Sequence, residues 1–366
     1  MKPNIRRALK AGEKIRVLVV DDSVVMRRLV SLALAQDAAI DVVGVASNGV
    51  VALQRIPLLN PDVITLDVEM PEMDGLEMLG CIRQRYPHLR VIMCSTLTER
   101  GAAITLDALR LGADDYLTKT SNGGALDRSL DTLREQLLPR IKQFFVTSQA
   151  AREVPLRALW SPTPDLGRRP AVVAIGVSTG GPAALAEVLP ALPAEFPVPI
   201  LVVQHMPPLF TRFLAERLNA ICQLHVTEAA NSEAVEPGKI LIAPGDFHMK
   251  VRGSSPDAVR IELDQTAPQN SCRPAVDALL TSLADVYCGS AVLAVILTGM
   301  GQDGLRGAKI LKSQGGSVLA QDEATSVVWG MPGSIVREGL ANRVLPLAQI
   351  APELVRMADR RKGQPC

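Results

Sequence analysis

The chain has 366 residues, a formal net charge of +1 and 21% charged residues, enough length for two cored domains. The near-neutral balance gives no reason to expect nucleic-acid binding, and no basic recognition helix stands out. No apolar run approaches the roughly 18 residues that would span a bilayer, so no direct membrane insertion is expected.

Residues 1–14 carry Lys2, Arg6, Arg7 and Lys10 and read as a solvated N-terminal tail, with no signal-peptide pattern. Ile15–Val20 is a buried-type strand that ends in Asp21-Asp22. Residues 23–36 follow, with Val25, Leu29 and Leu32 at helical spacing. Further strands are predicted at Val42–Ala46, at Val63–Leu66 ending in Asp67, at Val91–Cys94 ending in Ser95, and at Asp115–Thr118 ending in Lys119. Helical stretches separate them, which makes five β/α units and a doubly wound parallel sheet. The polar residues gather at the strands' C-terminal ends. Asp21, Asp22 and Asp67 repel one another there unless a cation intervenes, and hard oxygen ligands with room for water describe Mg²⁺. A carboxylate between Mg²⁺ and the Lys119 ammonium can accept a phosphoryl group. Each aspartate alone is also an ordinary turn residue.

Phe145–Arg169 loses apolar periodicity, contains Pro155, Pro162, Pro164 and Gly167, and reads as an exposed linker. Trp160 within it is either a docking anchor or a half-buried contact.

Strands and helices alternate again beyond the linker. The run Ala171–Val177 breaks into Ser178-Thr-Gly180-Gly181 and resumes as a helix. Such a strand–turn–helix holds a serine out of the sheet near backbone N–H groups that can face an oxyanion. A phosphate-binding turn or a purely structural one shares the local pattern, although neither common nucleotide fingerprint is present. A serine nucleophile needs a base. Of the four histidines, His205 follows the strand Pro199–Gln204 at the edge where ligands bind, and His248, after Lys239–Ile242, is its rival. His225 reads as a strand residue and His88 lies in the other half. The helix after Pro274 places Val276, Leu279, Leu280 and Leu283 on a core face. Ala291–Leu297 is a strand that opens into a glycine-rich loop bearing Asp303, which orients the histidine, caps the helix starting near Leu305, or does both. Met331 opens another helix, and Trp329 borders either the cleft or the core. The six cysteines lie far apart with no CxxC pair, which indicates neither zinc nor a disulfide framework and suits a reduced, cytoplasmic setting.

Val-Asp21-Asp22-Ser, Leu-Asp67-Val-Glu-Met-Pro71, Cys94-Ser95 and Tyr116-Leu-Thr-Lys119 resemble a two-component receiver domain. The resemblance implies that Asp67 is the phosphoacceptor, that Asp21 and Asp22 help hold Mg²⁺, that Ser95 and Tyr116 are the switch pair, and that Lys119 contacts the phosphoryl group. Thr120 departs from the family's proline. Ile-Gly-Val-Ser178-Thr-Gly-Gly181, Gln204-His205-Met-Pro-Pro, Arg273-Pro-Ala-Val-Asp277 and Leu-Thr-Gly-Met300-Gly-Gln-Asp303-Gly resemble the catalytic domain of chemotaxis protein-glutamate methylesterases. That resemblance implies a Ser178, His205, Asp303 triad with oxyanion donors on the backbone of Thr179 and Met300. Cys272 and Ala275 stand where some relatives carry His and Ser.

The expected organisation is an N-terminal tail (1–14), a flavodoxin-like receiver (15–144), a linker (145–169), a Rossmann-like α/β serine hydrolase domain (170–360) and a C-terminal tail (361–366). By resemblance, the substrates are glutamate γ-methyl esters, and certain glutamines, on the cytoplasmic part of chemoreceptors. A chemotaxis histidine kinase is the phosphodonor, and the esterase chemistry needs no cofactor. The unphosphorylated receiver is expected to hold the esterase back until Asp67 is phosphorylated. The alternatives are a second domain that only binds a partner, or one that hydrolyses a different ester or amide in a chemosensory-like pathway.

Overall fold

The computed structural model describes residues 7–10, 12–119, 126–147, 169–253, 255 and 258–359. They fall into two compact units, divided between Thr147 and Arg169. Thr120, Trp160, the C-terminal tail and most of the expected linker lie outside the described residues.

The first unit runs β1 (Arg7–Leu9), β2 (Ile15–Val20), α1 (Val24–Ala35), β3 (Ile40–Ala46), α2 (Gly49–Leu59), β4 (Val63–Asp67), α3 (Gly75–Arg85), β5 (Arg90–Thr96), α4 (Glu99–Arg110), β6 (Asp115–Lys119), α5 (Leu126–Lys142) and β7 (Phe145–Thr147). Five strands form one parallel sheet in the order β3-β2-β4-β5-β6. Strands covered on both faces need no polar alternation. Val17–Val20 are at most 1% exposed, and β4 is buried along its whole length. The helices start on the signals their sequences carry. Ser23 accepts from Met26 N to begin α1, and Asp74 with Glu77 closes a capping box at α3.

The helical spacing in residues 23–36 is borne out by α1, and the structure adds which face is buried. The buried stripe of α1 is Leu29, Val30, Ala33 and Leu34, whereas Val25 and Leu32 face solvent. Val25, Leu29 and Leu32 do recur at a helical interval, but a sheet covers a band centred one residue further round the helix. Part of the expected tail and the start of the expected linker are also structured: β1 and β7 pair in parallel, Arg7 opposite Phe145. A strand of three residues is too short to show periodicity, so the pairing is invisible in sequence.

The second unit runs β8 (Val172–Val177), α6 (Gly181–Val188), a 3₁₀ turn (Leu189–Ala191), β9 (Ile200–Gln204), α7 (Phe210–Ile221), β10 (His225–Glu228), β11 (Lys239–Ile242), β12 (His248–Arg252), β13 (Arg260–Asp264), α8 (Val276–Tyr287), β14 (Val292–Ile296), α9 (Leu305–Ser313), β15 (Ser317–Gln321), α10 (Met331–Arg337), β16 (Arg343–Leu345) and α11 (Leu347–Ala358). Its seven-stranded parallel sheet has the order β10-β11-β9-β8-β14-β15-β16. The first strand of the unit therefore lies in the middle, and the chain reverses direction of growth between β8 and β14. That is a topological switch point, the place where open α/β sheets bind ligands. Val276, Leu279, Leu280 and Leu283 of α8 are buried in the core, as their spacing predicts. The antiparallel β12–β13 hairpin is an addition to the parallel pattern. Among the described residues no helix is long and apolar enough to cross a membrane.

Gly75 sits where the chain turns from β4 into α3, and any Cβ there would drive into the Asp67 carbonyl oxygen. Backbone atoms cannot step aside as a flexible side chain does. Gly75→Ala is expected to cost about 1–3 kcal/mol of receiver stability. Denaturant unfolding should show it as a lowered midpoint with little change in slope.

Candidate active site and acidic pocket

In the second unit, sheet register does the assembling. Val177 pairs with Gln204 across β8 and β9, so Ser178 and His205 emerge side by side from neighbouring strands. On the other flank Ile296 pairs with Gly176, and the Ser178 N–H donates to the Thr298 carbonyl at 3.0 Å. Ser178 is half-buried on the turn into α6, as the strand–turn–helix pattern predicts. Gly299 packs directly against it, since a Cβ there would lie 2.8 Å from the Ser178 Cβ. Thr179 and Met300 are each one residue beyond this contact.

Asp303 is the most heavily satisfied group of the site. It is 2% exposed and accepts from His205 Nε2 at 2.8 Å, Asn270 Nδ2 at 3.0 Å, Gly304 N at 3.0 Å, Val276 N at 2.6 Å and Asp277 N at 3.1 Å. Val276 and Asp277 open α8, so the carboxylate caps that helix from a distant loop. The reading of Asp303 as a simple cap of the following helix is corrected accordingly: Gly304 is the N-cap of α9, and no side chain caps it. Burial works to raise the Asp303 pKa, but the His205 and backbone hydrogen bonds outweigh it and hold the carboxyl below its usual range.

The His205 imidazole presents Nε2 to Asp303 and Nδ1 to the Cys272 thiol, 3.5 Å away. Burial disfavours its charged form most strongly, yet Asp303 and then Cys272 outweigh burial and push its pKa up to about 10. Among the described residues no hydrogen bond joins the Ser178 hydroxyl to His205. His248, the rival base, is fully buried at the start of β12, with Nε2 on the Ala267 carbonyl. His225 is an exposed strand residue.

The sequence reading passed over several supporting residues. Gln204 Nε2 donates to the carbonyls of both Ser178 and His205, at 3.0 and 3.3 Å, and so ties the two turns together. Thr298 Oγ1 donates to the Thr179 carbonyl at 2.9 Å, and its N–H donates to Gln321 Oε1 at 2.8 Å. Asn270 donates to Asp277 as well as Asp303. Gln204 is the one with a local signal, since it directly precedes the histidine. Trp329 packs against the core, while its neighbour Gly330 donates to Gly299 and buttresses the 299–301 loop.

In the first unit, Asp21, Asp22 and Asp67 each offer a carboxylate oxygen within 4.8 Å of one another. β2 and β4 flank the switch point of that sheet and bring them together. Lys119 Nζ bridges Asp21 at 2.8 Å and Asp67 at 2.7 Å. Burial outweighs Lys119 and raises the Asp67 pKa to about 6, with Asp21 adding to the rise. A cleft of about 240 Å³ opens over Asp22, Asp67, Ser95 and Lys119. Clustered hard oxygens beside an open, water-accessible cleft fit Mg²⁺. Ser95 is buried and donates to the Thr96 carbonyl, and burial pushes the Tyr116 hydroxyl pKa up.

Fold and sites together define a class: a receiver-type domain with an acidic pocket that fits a cation, followed by an α/β domain of hydrolase type. A family model described as CheB methylesterase matches residues 173–354, and one described as response regulator receiver domain matches residues 17–131. The protein-glutamate methylesterase/protein-glutamine glutaminase of Trichodesmium erythraeum is 49% identical over 94% of this chain and 99% of its own length. The Nocardioides protein of the same name is 50% identical over 95% of this chain and 96% of its own. The crystal structure of the Thermotoga maritima CheB methylesterase catalytic domain is 48% identical, covers 51% of this chain and 98% of that chain, and superposes with a TM-score of 0.50. The chain belongs to the family of protein-glutamate methylesterase/protein-glutamine glutaminases that carry a receiver domain.

Two predictions arise from these sites. The folded His205 pKa, about 10, lies above its unfolded value of 6.5. The pair's contribution to stability is therefore fully present below about pH 6.5 and is lost as pH rises towards 10. Wild-type protein should lose more of its catalytic-domain melting temperature across that window than His205→Gln does. For the acidic pocket, millimolar Mg²⁺ should raise the receiver's unfolding midpoint relative to EDTA, and Asp67→Ala should abolish the difference.

Proposed function

We propose that this chain is a phosphorylation-controlled serine esterase. It hydrolyses glutamate γ-methyl esters on chemoreceptors, deamidates certain receptor glutamines, and thereby supports adaptation in bacterial chemotaxis. The observation that carries the reading is the His205–Asp303 hydrogen bond at 2.8 Å, set beside Ser178 at the switch point of the sheet.

In this reading Asp303 accepts the Nε2 proton of His205 and fixes the tautomer, which leaves Nδ1 as the basic nitrogen. Nδ1 takes the Ser178 proton as the hydroxyl oxygen attacks the ester carbonyl. The backbone N–H groups of Thr179 and Met300 hold the oxyanion, and loss of one such donor typically costs about 10²–10³ in rate. His205 returns the proton to the departing methoxide oxygen, which leaves as methanol, or to the departing amide nitrogen, which leaves as ammonia when the substrate is a glutamine. Water then repeats the sequence on the acyl-serine and releases glutamate. No step of this route calls for a cofactor.

The receiver supplies control. Asp67 is the phosphoacceptor; Asp21, Asp22 and Asp67 would hold Mg²⁺, which would supply positive charge, beside that of Lys119, to offset the charge that phosphorylation adds. Ser95 and Tyr116 respond to the phosphoryl group as the switch pair, and a chemotaxis histidine kinase is the donor. The domain limits that go with this reading are a receiver over 15–144 and an esterase over 170–360, in a cytoplasmic protein. Phosphorylation then acts as a local charge change that biases a two-state element.

Methanol release from methylated receptors tests the scheme. Ser178→Ala should fall to the uncatalysed background, and Asp303→Asn should lose about 10⁴ in kcat through the wrong tautomer. A small phosphodonor should stimulate the wild type and leave Asp67→Asn unchanged. Release that survives in Ser178→Ala defeats the esterase reading, and stimulation that persists in Asp67→Asn defeats the control scheme. A chain that binds receptors but releases no methanol is a binding module instead.

A further inference from the structure

The imidazole of a serine esterase has two nitrogens and two duties, one towards the acid and one towards the nucleophile. Here Nε2 is on Asp303, and Nδ1 meets Cys272 Sγ at 3.5 Å. We propose that Cys272 is a positioning residue that acts as a brake: its thiol occupies the His205 nitrogen that Ser178 needs, so the thiol and the serine compete for one site on the base. The inference rests on the esterase reading above.

The competition holds in either protonation state. A neutral ring accepts the S–H at Nδ1, and a protonated ring donates Nδ1–H to the sulfur. In both, the ring must leave Cys272 before it serves Ser178. A ring that already holds its proton cannot take another from the serine, and Cys272 is among the influences that push the His205 pKa up to about 10.

The thiol is delivered by a built element. Gln269 and Cys272 close a tight turn, with Gln269 N donating to the Cys272 carbonyl at 3.0 Å and Cys272 N donating back at 2.8 Å. Its two central residues, Asn270 and Ser271, have φ of 51° and 61°. Left-handed backbone at two successive non-glycine residues is held only where the surroundings fix it. Arg306 anchors the first residue through Gln269 Oε1, and Asn270 anchors the middle on Asp303 and Asp277. One turn thus places an amide on the acid and a thiol on the base. The strain is spent on holding both members of the pair at once.

The test uses the full-length protein and three measurements. Cys272→Ala should raise kcat for methanol release about 2- to 10-fold, the worth of one released hydrogen bond, with KM unchanged. Cys272→Ser keeps a donor facing Nδ1 and should fall below Cys272→Ala. Iodoacetamide should alkylate Cys272 more slowly in His205→Gln than in the parent, because the contact between the imidazole and the sulfur is lost. A kcat that is unchanged or lowered in Cys272→Ala, or equal in the Ser and Ala variants, overturns the proposal. The alkylation arm separates the two ideas. If alkylation depends on His205 but no variant releases methanol, the esterase reading fails while the thiol–imidazole pair stands. If methanol is released and alkylation ignores His205, the pair itself is refuted.

Discussion

The catalytic half of this chain depends on how one buried carboxylate is satisfied. Asp303 is taken out of water and given five donors, from α8, from its own loop, from the 269–272 turn and from β9's end. A buried charge is tolerable only when its lone pairs are filled. Filling them also joins four separate segments around a single group. The imidazole is one of the five donors, so the requirement that stabilises the charge also fixes the ring of His205. In the proposed reaction, function and stability rest on the same set of hydrogen bonds, and a supporting residue such as Asn270 serves both.

The scaffold below Asp303 follows from parallel-sheet geometry. Register is exact to a residue, and a slip by one would turn Ser178 into the sheet. Val177 opposite Gln204 and Gly176 opposite Ile296 set that register from both sides. Gln204 then locks it above the sheet by donating to the carbonyls that follow both strands. Close approach completes the arrangement. Gly299 lies so near Ser178 that no side chain fits, and this brings the 298–301 loop within reach of the serine.

Much of this was legible in the sequence, because the informative residues sit at the ends of apolar runs. Asp21, Asp67, Ser95, Lys119, Ser178 and His205 each stand at or next to the C-terminal end of a strand, and a run of buried-type residues that stops at a polar one marks the ligand edge of a parallel sheet. Asp303 was harder. It lies in a loop, and its partners Val276 and Asp277 are 27 and 26 residues away in sequence. No spacing rule links a loop aspartate to the first turn of a different helix. The β1–β7 pair escaped for a related reason, since three-residue strands carry no period and pair across the length of a domain. The facing side of α1 is not legible from spacing, because Val25 and Leu32 are as apolar as the residues that are buried. Composition gives the stripe's period, and packing against the sheet gives its phase.

The two sites handle charge in opposite ways, and the difference matches what each is proposed to do. Asp303 is over-supplied with donors and its pKa is lowered, which suits the proposed reaction, in which it stays charged while its neighbour gains and loses a proton. Asp67 is under-supplied. Its side chain accepts from Lys119 and from Val68 N, but burial and Asp21 still raise its pKa to about 6. A carboxylate left short of compensation is one that gains from a cation and from conversion to a neutral acyl linkage, with the added negative charge carried outward on the phosphoryl oxygens towards the cleft. The same residue type, at the same edge of the same kind of sheet, is thus held below its usual pKa in one domain and above it in the other. Environment assigns the role, and the strand order of each sheet supplies the environment.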